Sequence, residues 1–201
     1  AGAVAGGLAG GVGSASALLP EGGTVAALAV VNAAGSVFDP ATGELYAARF
    51  GLPGEFGVGT PDPAELAGWL GRTGGPLGEL PPDAGPSGAP PGAGPFNTVI
   101  GVVATDVSLS KAQCARLAAA GHDGLARAVR PAHTMTDGDT IFGLATGTRP
   151  AADLAGFNAV LGAAADCFTR AMGHAVLAAT GWEGVPSYLQ AFPGAARGPR
   201  C

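Results

Sequence analysis

The chain has 201 residues, of which 47% are hydrophobic and 12% charged, and its formal net charge is −5. This balance excludes an intrinsically disordered protein, and the acidic charge argues against a basic nucleic-acid-binding surface. No run of about 18 apolar residues is free of helix-breaking residues, so no membrane-spanning helix is predicted. The length suffices for one domain with a real core or for two small ones.

The first part of the chain alternates glycine-rich segments with apolar runs. Residues 1–16 are rich in glycine, which favours a mobile loop, although such peptide groups can also line a pocket. Residues 24–32 are apolar over the length of a strand and predict one that is buried on both faces and ends at Asn32. Residues 44–50 are a second candidate strand. Residues 61–70 carry apolar side chains at helical spacing.

A segment rich in glycine and proline, residues 71–96, interrupts the chain. Proline fixes φ and removes a hydrogen-bond donor, so no regular element is expected there. A structureless segment of this length is usually a functional loop or a linker. It leads directly to the Asn97-Thr98 junction, which would therefore be accessible and deformable.

The second part of the chain alternates strand and helix patterns. Ser110 and Gln113 form a capping-box pattern, which predicts a helix that runs to about Val129 and is stopped by Pro131. The long alanine-rich stretch 151–180 predicts a helix that packs across a sheet. The other expected elements are strands at 99–105 and 141–147 and a docked aromatic segment at 186–193.

Thr98 stands where the linker meets an apolar strand. If the Asn97–Thr98 bond breaks, Thr98 becomes a new N-terminus with a hydroxyl nucleophile and its own amine as a base. The alternative is a β-branched residue that only begins a strand. Those few residues, taken alone, favour the alternative.

Three further polar residues lie at predicted strand ends. The carboxamide of Asn32 could donate to an oxyanion or hold a substrate carbonyl, or Asn32 could simply form a turn. Asp137 and Asp139 straddle a glycine and could accept a proton or a hydrogen bond from a nucleophile, or belong to a solvated turn. The acidic positions of a calcium-binding EF-hand loop are absent from this segment.

The remaining titratable residues give no metal-site pattern. His122, His133 and His174 lack metal-ligand spacing, so we interpret them as structural or surface residues. The three cysteines, Cys114, Cys167 and Cys201, are odd in number and fit a reducing compartment. We therefore expect no metal, and a cytoplasmic location.

Taken together, the motifs resemble one peptidase family over nearly the whole chain except the linker. The resemblance is to the P1 (DmpA-like, S58) peptidases, the group that includes D-aminopeptidase, β-peptidyl aminopeptidases and the nylon-oligomer hydrolase. The matching residues are Gly10–Ser16, Val30–Ala33 with Asp39-Pro40, Asn97–Thr105, His122–Ala128, Asp137–Thr140 with Phe142 and Ala145–Gly147, and Ser187-Tyr188 with Phe192-Pro193.

The resemblance implies an α+β fold, a four-layer αββα sandwich similar to the N-terminal nucleophile (Ntn) hydrolases and to ornithine acetyltransferase. It also implies self-cleavage into two subunits that stay together. Residues 1–97 would then form the end of the α-subunit, and residues 98–201 would form the β-subunit. Both would belong to a single domain, from which an N-terminal portion found in other family members is expected to be missing. By position, Asn97–Thr98 is the cleavage site, and Asn32, Asp137 and Asp139 fall on active-site positions.

The implied function is an amide hydrolase, an aminopeptidase or amino-acid-oligomer amidase, that works through an acyl-enzyme on Thr98 and needs no cofactor. Asp137 and Asp139 would orient and polarise the hydroxyl and amine of Thr98, and Asn32 would position the amine or stabilise the oxyanion. The expected substrate is a small peptide or amino-acid amide, and the expected assembly is a homotetramer of cleaved pairs, with no nucleic-acid or membrane partner.

Two alternatives stay open. The nylon-hydrolase branch carries a lysine in the glycine-rich region before the first matched strand, and residues 5–11 contain none. Together with the absent N-terminal portion, this favours an inactive remnant. Acyl transfer to an amine is the other alternative, because a related fold serves a self-cleaving acetyltransferase.

Overall fold

A computed structural model describes residues 2–73, 97–135 and 137–197. The elements, in chain order, are β1 (Val4–Ala5), β2 (Leu8–Ala9), β3 (Val12–Leu18), β4 (Thr24–Val30), a 3-10 helix (Tyr46–Phe50), α1 (Pro63–Thr73), β5 (Ile100–Val107), α2 (Lys111–Ala128), β6 (Thr140–Arg149), α3 (Leu154–Ala178), α4 (Tyr188–Ala191) and a second 3-10 helix (Pro193–Arg197). Most of the predicted linker, residues 74–96, lies outside the described residues, while residues 71–73 complete α1.

The four long strands form one mixed sheet in the order β3-β4-β5-β6. The first three strands are antiparallel, and β6 runs parallel to β5. A parallel pair needs a crossover connection, and α2 supplies it between β5 and β6. The predicted capping box of Ser110 and Gln113 begins this helix. The short strands β1 and β2 form a separate antiparallel pair.

Helices α2 and α3 pack side by side on one face of the sheet. The core lies between inward residues of the strands, such as Val25 and Val103, and residues of the helices, such as Phe168 of α3. The opposite face of the sheet is open, with Leu18 83% and Phe142 61% exposed. The described residues therefore form one sheet layer and one helix layer, an α+β arrangement. Among them, no helix combines the length and the apolar character needed to cross a membrane.

The glycine-rich start of the chain is ordered, so the predicted mobile loop over residues 1–16 is wrong. It forms β1, β2 and β3, and β3 pairs with β4 along its whole length. The physical reason is close packing: a side chain at Gly13 would collide with the backbone of Ala171 and Ala175 in α3. Glycine here allows a helix to lie directly on the edge of the sheet.

The second predicted strand, residues 44–50, is also wrong. Residues 46–50 form a 3-10 helix, in which the amide of Ala48 bonds to the carbonyl of Leu45. Only Leu45 makes an extended contact, an isolated bridge to Phe38. Because the amides of this segment bond to nearby carbonyls, they are not available to extend the sheet. The docked aromatic segment is confirmed, since Tyr188 and Phe192 are fully buried.

A buried ion pair fastens the loop after the first 3-10 helix to α3. Arg170 donates to both carboxylate oxygens of Glu55 through Nε, and its Nη1 donates to the carbonyl of Ser16. His174 lies 2.9 Å from Glu55 Oε1. The hydrogen bonds from Arg170 are the main reason that the pKa of Glu55 falls to about 2, against the opposing effect of burial.

We expect this ion pair to make the free energy of unfolding depend on pH, with a loss of stability in acid. Since the pKa of Glu55 is lowered on folding, its contribution is complete above the unfolded pKa of about 4.3 and is lost as the pH falls towards 2. Replacing Glu55 by glutamine should lower the free energy of unfolding by about 2 kcal/mol near pH 6. Denaturant unfolding measures the difference, with the exposed Glu183→Gln as the control. A wild-type-to-variant difference that does not shrink in acid would contradict this assignment.

Candidate active site

The sheet register brings three strand ends together at one edge. In the parallel pair, Ile100 lies opposite Thr140, so the residues just before β5 lie beside those just before β6. An isolated parallel bridge between Asn97 and Asp137 continues this pairing. The last residue of β4, Val30, also lies opposite Ile100, which places Asn32 at the same edge. The predicted residues are distant in sequence but meet here.

Backbone hydrogen bonds hold the Asn97–Thr98 peptide from both sides. The amide of Thr98 donates to the carbonyl of Asn32 over 2.7 Å, and the carbonyl of Asn97 accepts from the amide of Gly138 over 2.9 Å. Thr98 itself is half-buried. The carbonyl that self-cleavage would attack is therefore already polarised by an N–H donor, and the nitrogen that would leave is fixed against β4.

Asp139 is buried beside the nucleophile candidate. Its Oδ1 accepts from the amide of Val99 over 2.9 Å, and its Oδ2 lies 2.8 Å from His133 Nδ1. Its side chain is only 5% exposed. Asp139 thus fixes the residue that directly follows Thr98. Within the part of the chain that the structure describes, no hydrogen bond joins Asp139 to the Thr98 hydroxyl.

Asp137 is held through one of its two oxygens. Its Oδ2 accepts from the backbone amide and from the hydroxyl of Thr134, each over 2.8 Å. Its Oδ1 is buried and has no hydrogen-bond partner among the described residues. A buried carboxylate oxygen without a donor is costly. This oxygen is therefore a suitable acceptor for an ammonium or hydroxyl group that comes to lie at the site.

Asn32 is half-buried and contacts two neighbours. Its side-chain Oδ1 accepts from the amide of Val4 over 2.9 Å, and its backbone carbonyl holds the amide of Thr98. The glycine-rich start of the chain thereby forms one wall of the site through β1. Its contact with Thr98 runs through the backbone carbonyl rather than through the carboxamide.

Sequence reasoning missed three residues of the site. His133 and Thr134 hold one carboxylate each, and Gly138 lies against Thr98: a methyl group added at Gly138 would be 2.9 Å from Thr98 Oγ1. The Asp-Gly-Asp spacing was the available signal for Gly138. No sequence pattern pointed to His133, because its partner Asp139 lies six residues away, at the other end of a loop.

A second histidine, His122, packs its ring against that of His133 with 5.0 Å between the ring centroids. Burial lowers the pKa of His122, and the neighbouring His133 lowers it further, while Asp139 and Asp123 oppose the shift. Within the described parts of the chain, no group of three or more histidine, cysteine or acidic residues has the geometry to hold a metal ion.

The site thus consists of a strand-end threonine with an asparagine and two acids beside it, at one end of an α+β sheet. The chain matches the model of Peptidase family S58 over residues 1–188 and belongs to that family. It is 49% identical to an uncharacterized aminopeptidase of Mycobacterium bovis, over 95% of this chain and 54% of the relative. It is 45% identical to an uncharacterized aminopeptidase of Mycobacterium leprae, over 96% of this chain and 51% of that relative. The chain thus spans about half the length of these curated relatives.

Solved structures show the same fold. A beta-aminopeptidase of a Burkholderia species matches with a TM-score of 0.52 and 22% identity, over 87% of this chain and 43% of the other. The L-aminopeptidase D-Ala-esterase/amidase of Ochrobactrum anthropi matches with a TM-score of 0.54 and 19% identity, over 88% of this chain and 42% of the other. The latter is described as a variant of the Ntn hydrolase fold. The predicted Ntn-hydrolase-like α+β class is therefore confirmed, and the described residues supply one sheet and one helix layer of it.

Proposed function

We propose that this chain belongs to a self-cleaving amide hydrolase of the aminopeptidase type, in which Thr98 is the nucleophile. The observation that carries the proposal is the setting of the Asn97–Thr98 peptide, held between the Asn32 carbonyl and the Gly138 amide. Beside it lie Asp139, whose side chain is buried, and the buried Oδ1 of Asp137. Membership of a peptidase family and relatives named as aminopeptidases support the reaction class.

In the self-cleavage step, Thr98 Oγ attacks the carbonyl carbon of Asn97. The charge that develops on the Asn97 oxygen lies against the Gly138 amide, which already donates to it. The C–N bond breaks, the Thr98 nitrogen takes up the hydroxyl proton, and an ester joins Asn97 to Thr98 Oγ. Water then hydrolyses this ester to release the Asn97 carboxylate and a free Thr98 hydroxyl.

In the catalytic step, the freed amine of Thr98 serves as the base. An α-amine has an ordinary pKa of about 7.7–8.0, near the pH at which an enzyme works. The amine would begin beside the Asn32 carbonyl, and the unpaired Oδ1 of Asp137 offers a second acceptor. Thr98 Oγ attacks the substrate amide to give an acyl-enzyme and a free amine product, and water then releases the acid.

The substrate class is a small peptide or amino-acid amide, and we place the protein in the cytoplasm as an oligomer of cleaved pairs. Both cysteines within the described residues, Cys114 and Cys167, are free thiols, as is usual in a reducing compartment.

The open apolar face of the sheet fits a sandwich in which a second sheet covers it.

The test is an intact-mass measurement under denaturing conditions on the complete gene product. We expect two polypeptides that stay associated in native buffer, one of which begins at Thr98. Hydrolysis of amino-acid p-nitroanilides should accompany processing. A single uncleaved chain after days at neutral pH, inert towards these substrates, would replace the proposal with the inactive remnant.

A further inference from the structure

The loop that leads from α2 to β6 is clamped at its start. Arg130 exchanges two backbone hydrogen bonds with Ser36, of 2.8 and 2.9 Å, and its guanidinium lies 4.9 Å from the ring centroid of Tyr46. Gly35 packs so closely on the carbonyl of Pro131 that a side chain there would collide with it. The path of the chain just before His133 is therefore fixed by contacts outside the sheet.

His133 adopts an uncommon backbone conformation for a residue with a side chain. Its φ is +55°, in the left-handed region, and it is the one described non-glycine residue with a positive φ. Such a conformation has an energetic cost that neighbouring contacts must offset. In this conformation the imidazole Nδ1 lies 2.8 Å from Asp139 Oδ2, and the ring packs on His122.

We propose that His133 is a positioning residue for the Thr98 site and acts through Asp139; this inference rests on the function proposed above. Asp139 is almost fully buried, and a buried carboxylate needs donors on both oxygens. The Val99 amide donates to Oδ1, and His133 Nδ1 lies 2.8 Å from Oδ2 as its ion-pair partner. The contact fixes the carboxylate, which in turn fixes the amide that follows the nucleophile.

Loss of the imidazole leaves Oδ2 without its partner. The carboxylate then turns to find another partner, and its bond to the Val99 amide weakens. Because Val99 is bonded to Thr98, the hydroxyl leaves its reactive position. A shift of about 1 Å at a reacting group can reduce a rate by about a hundredfold.

His133→Gly isolates the role of the imidazole. Glycine adopts the left-handed backbone without strain, so the variant removes the ring and keeps the loop. His133 is 41% exposed, so added imidazole can reach the space it leaves. We expect the rate of self-cleavage and kcat to fall about 10- to 100-fold, with KM and the thermal midpoint little changed. Added imidazole should restore part of the lost rate.

The controls separate this inference from the proposed function. His122→Ala removes a ring that touches His133 but makes no recorded bond to Asp139, and it should not respond to imidazole. Thr98→Ala should stay inactive with or without imidazole. A His133→Gly protein as fast as wild type, or slow but unresponsive to imidazole, overturns the positioning role. Hydrolysis by Thr98→Ala overturns the proposed nucleophile instead.

Discussion

Replacing Thr98 by alanine is expected to give a single uncleaved chain with no measurable amide hydrolysis. Both reactions need the same oxygen as the attacking atom, and alanine removes it. Loss of a nucleophile commonly costs a factor of about 10⁶ in kcat, so a decrease of at least about a thousandfold should be seen. Denaturing intact mass measures cleavage, and p-nitroanilide release measures turnover.

Thr98→Ser is the matched control, because it keeps the hydroxyl and removes only a methyl group. It should be processed and should retain hydrolysis, at a reduced rate. Both variants should unfold within a few degrees of wild type, since Thr98 is only half-buried and its backbone hydrogen bond to the Asn32 carbonyl does not use the side chain. Cleavage at position 98 in the alanine variant would rule out the mechanism.

Gly138→Ala is expected to slow both self-cleavage and hydrolysis about a hundredfold, with little loss of stability. The added methyl group would lie 2.9 Å from Thr98 Oγ1 and 3.9 Å from the Cβ and Cγ2 of Thr98. The hydroxyl can rotate away at small energetic cost, but it then leaves the position from which it attacks. Time-resolved intact mass after expression, together with kcat, measures the effect.

The control for this variant is a glycine-to-alanine substitution at a position where the added methyl group meets no neighbouring atom. Gly162 lies exposed in α3 and has no atom within 4 Å of an added methyl group. Gly162→Ala should therefore keep wild-type rates and gain slightly in stability from the better helix propensity of alanine. Equal rates for Gly138→Ala and wild type would show that the Thr98 rotamer in this structure is not the reactive one.

Much of the secondary structure followed from local patterns. The apolar run that begins at Thr24 became β4, and the capping box at Ser110 began α2, because hydrophobic periodicity and capping act over a few residues. Glycine-rich residues 1–16 misled this reasoning. Their strands depend on α3 lying directly on Gly13, a contact between residues more than 150 positions apart.

The candidate site likewise has features that follow from the local sequence and features that depend on the tertiary structure. The sequence by itself determined its chemical groups, namely Thr98 at the Asn97 junction, Asn32 at a strand end, and the acids Asp137 and Asp139. Only the tertiary structure decided where these groups lie relative to each other. The parallel register places the Gly138 amide on the Asn97 carbonyl, and the clamped loop turns His133 towards Asp139. Residue types encode reactivity locally, whereas distances between them depend on strand register and packing across the whole chain.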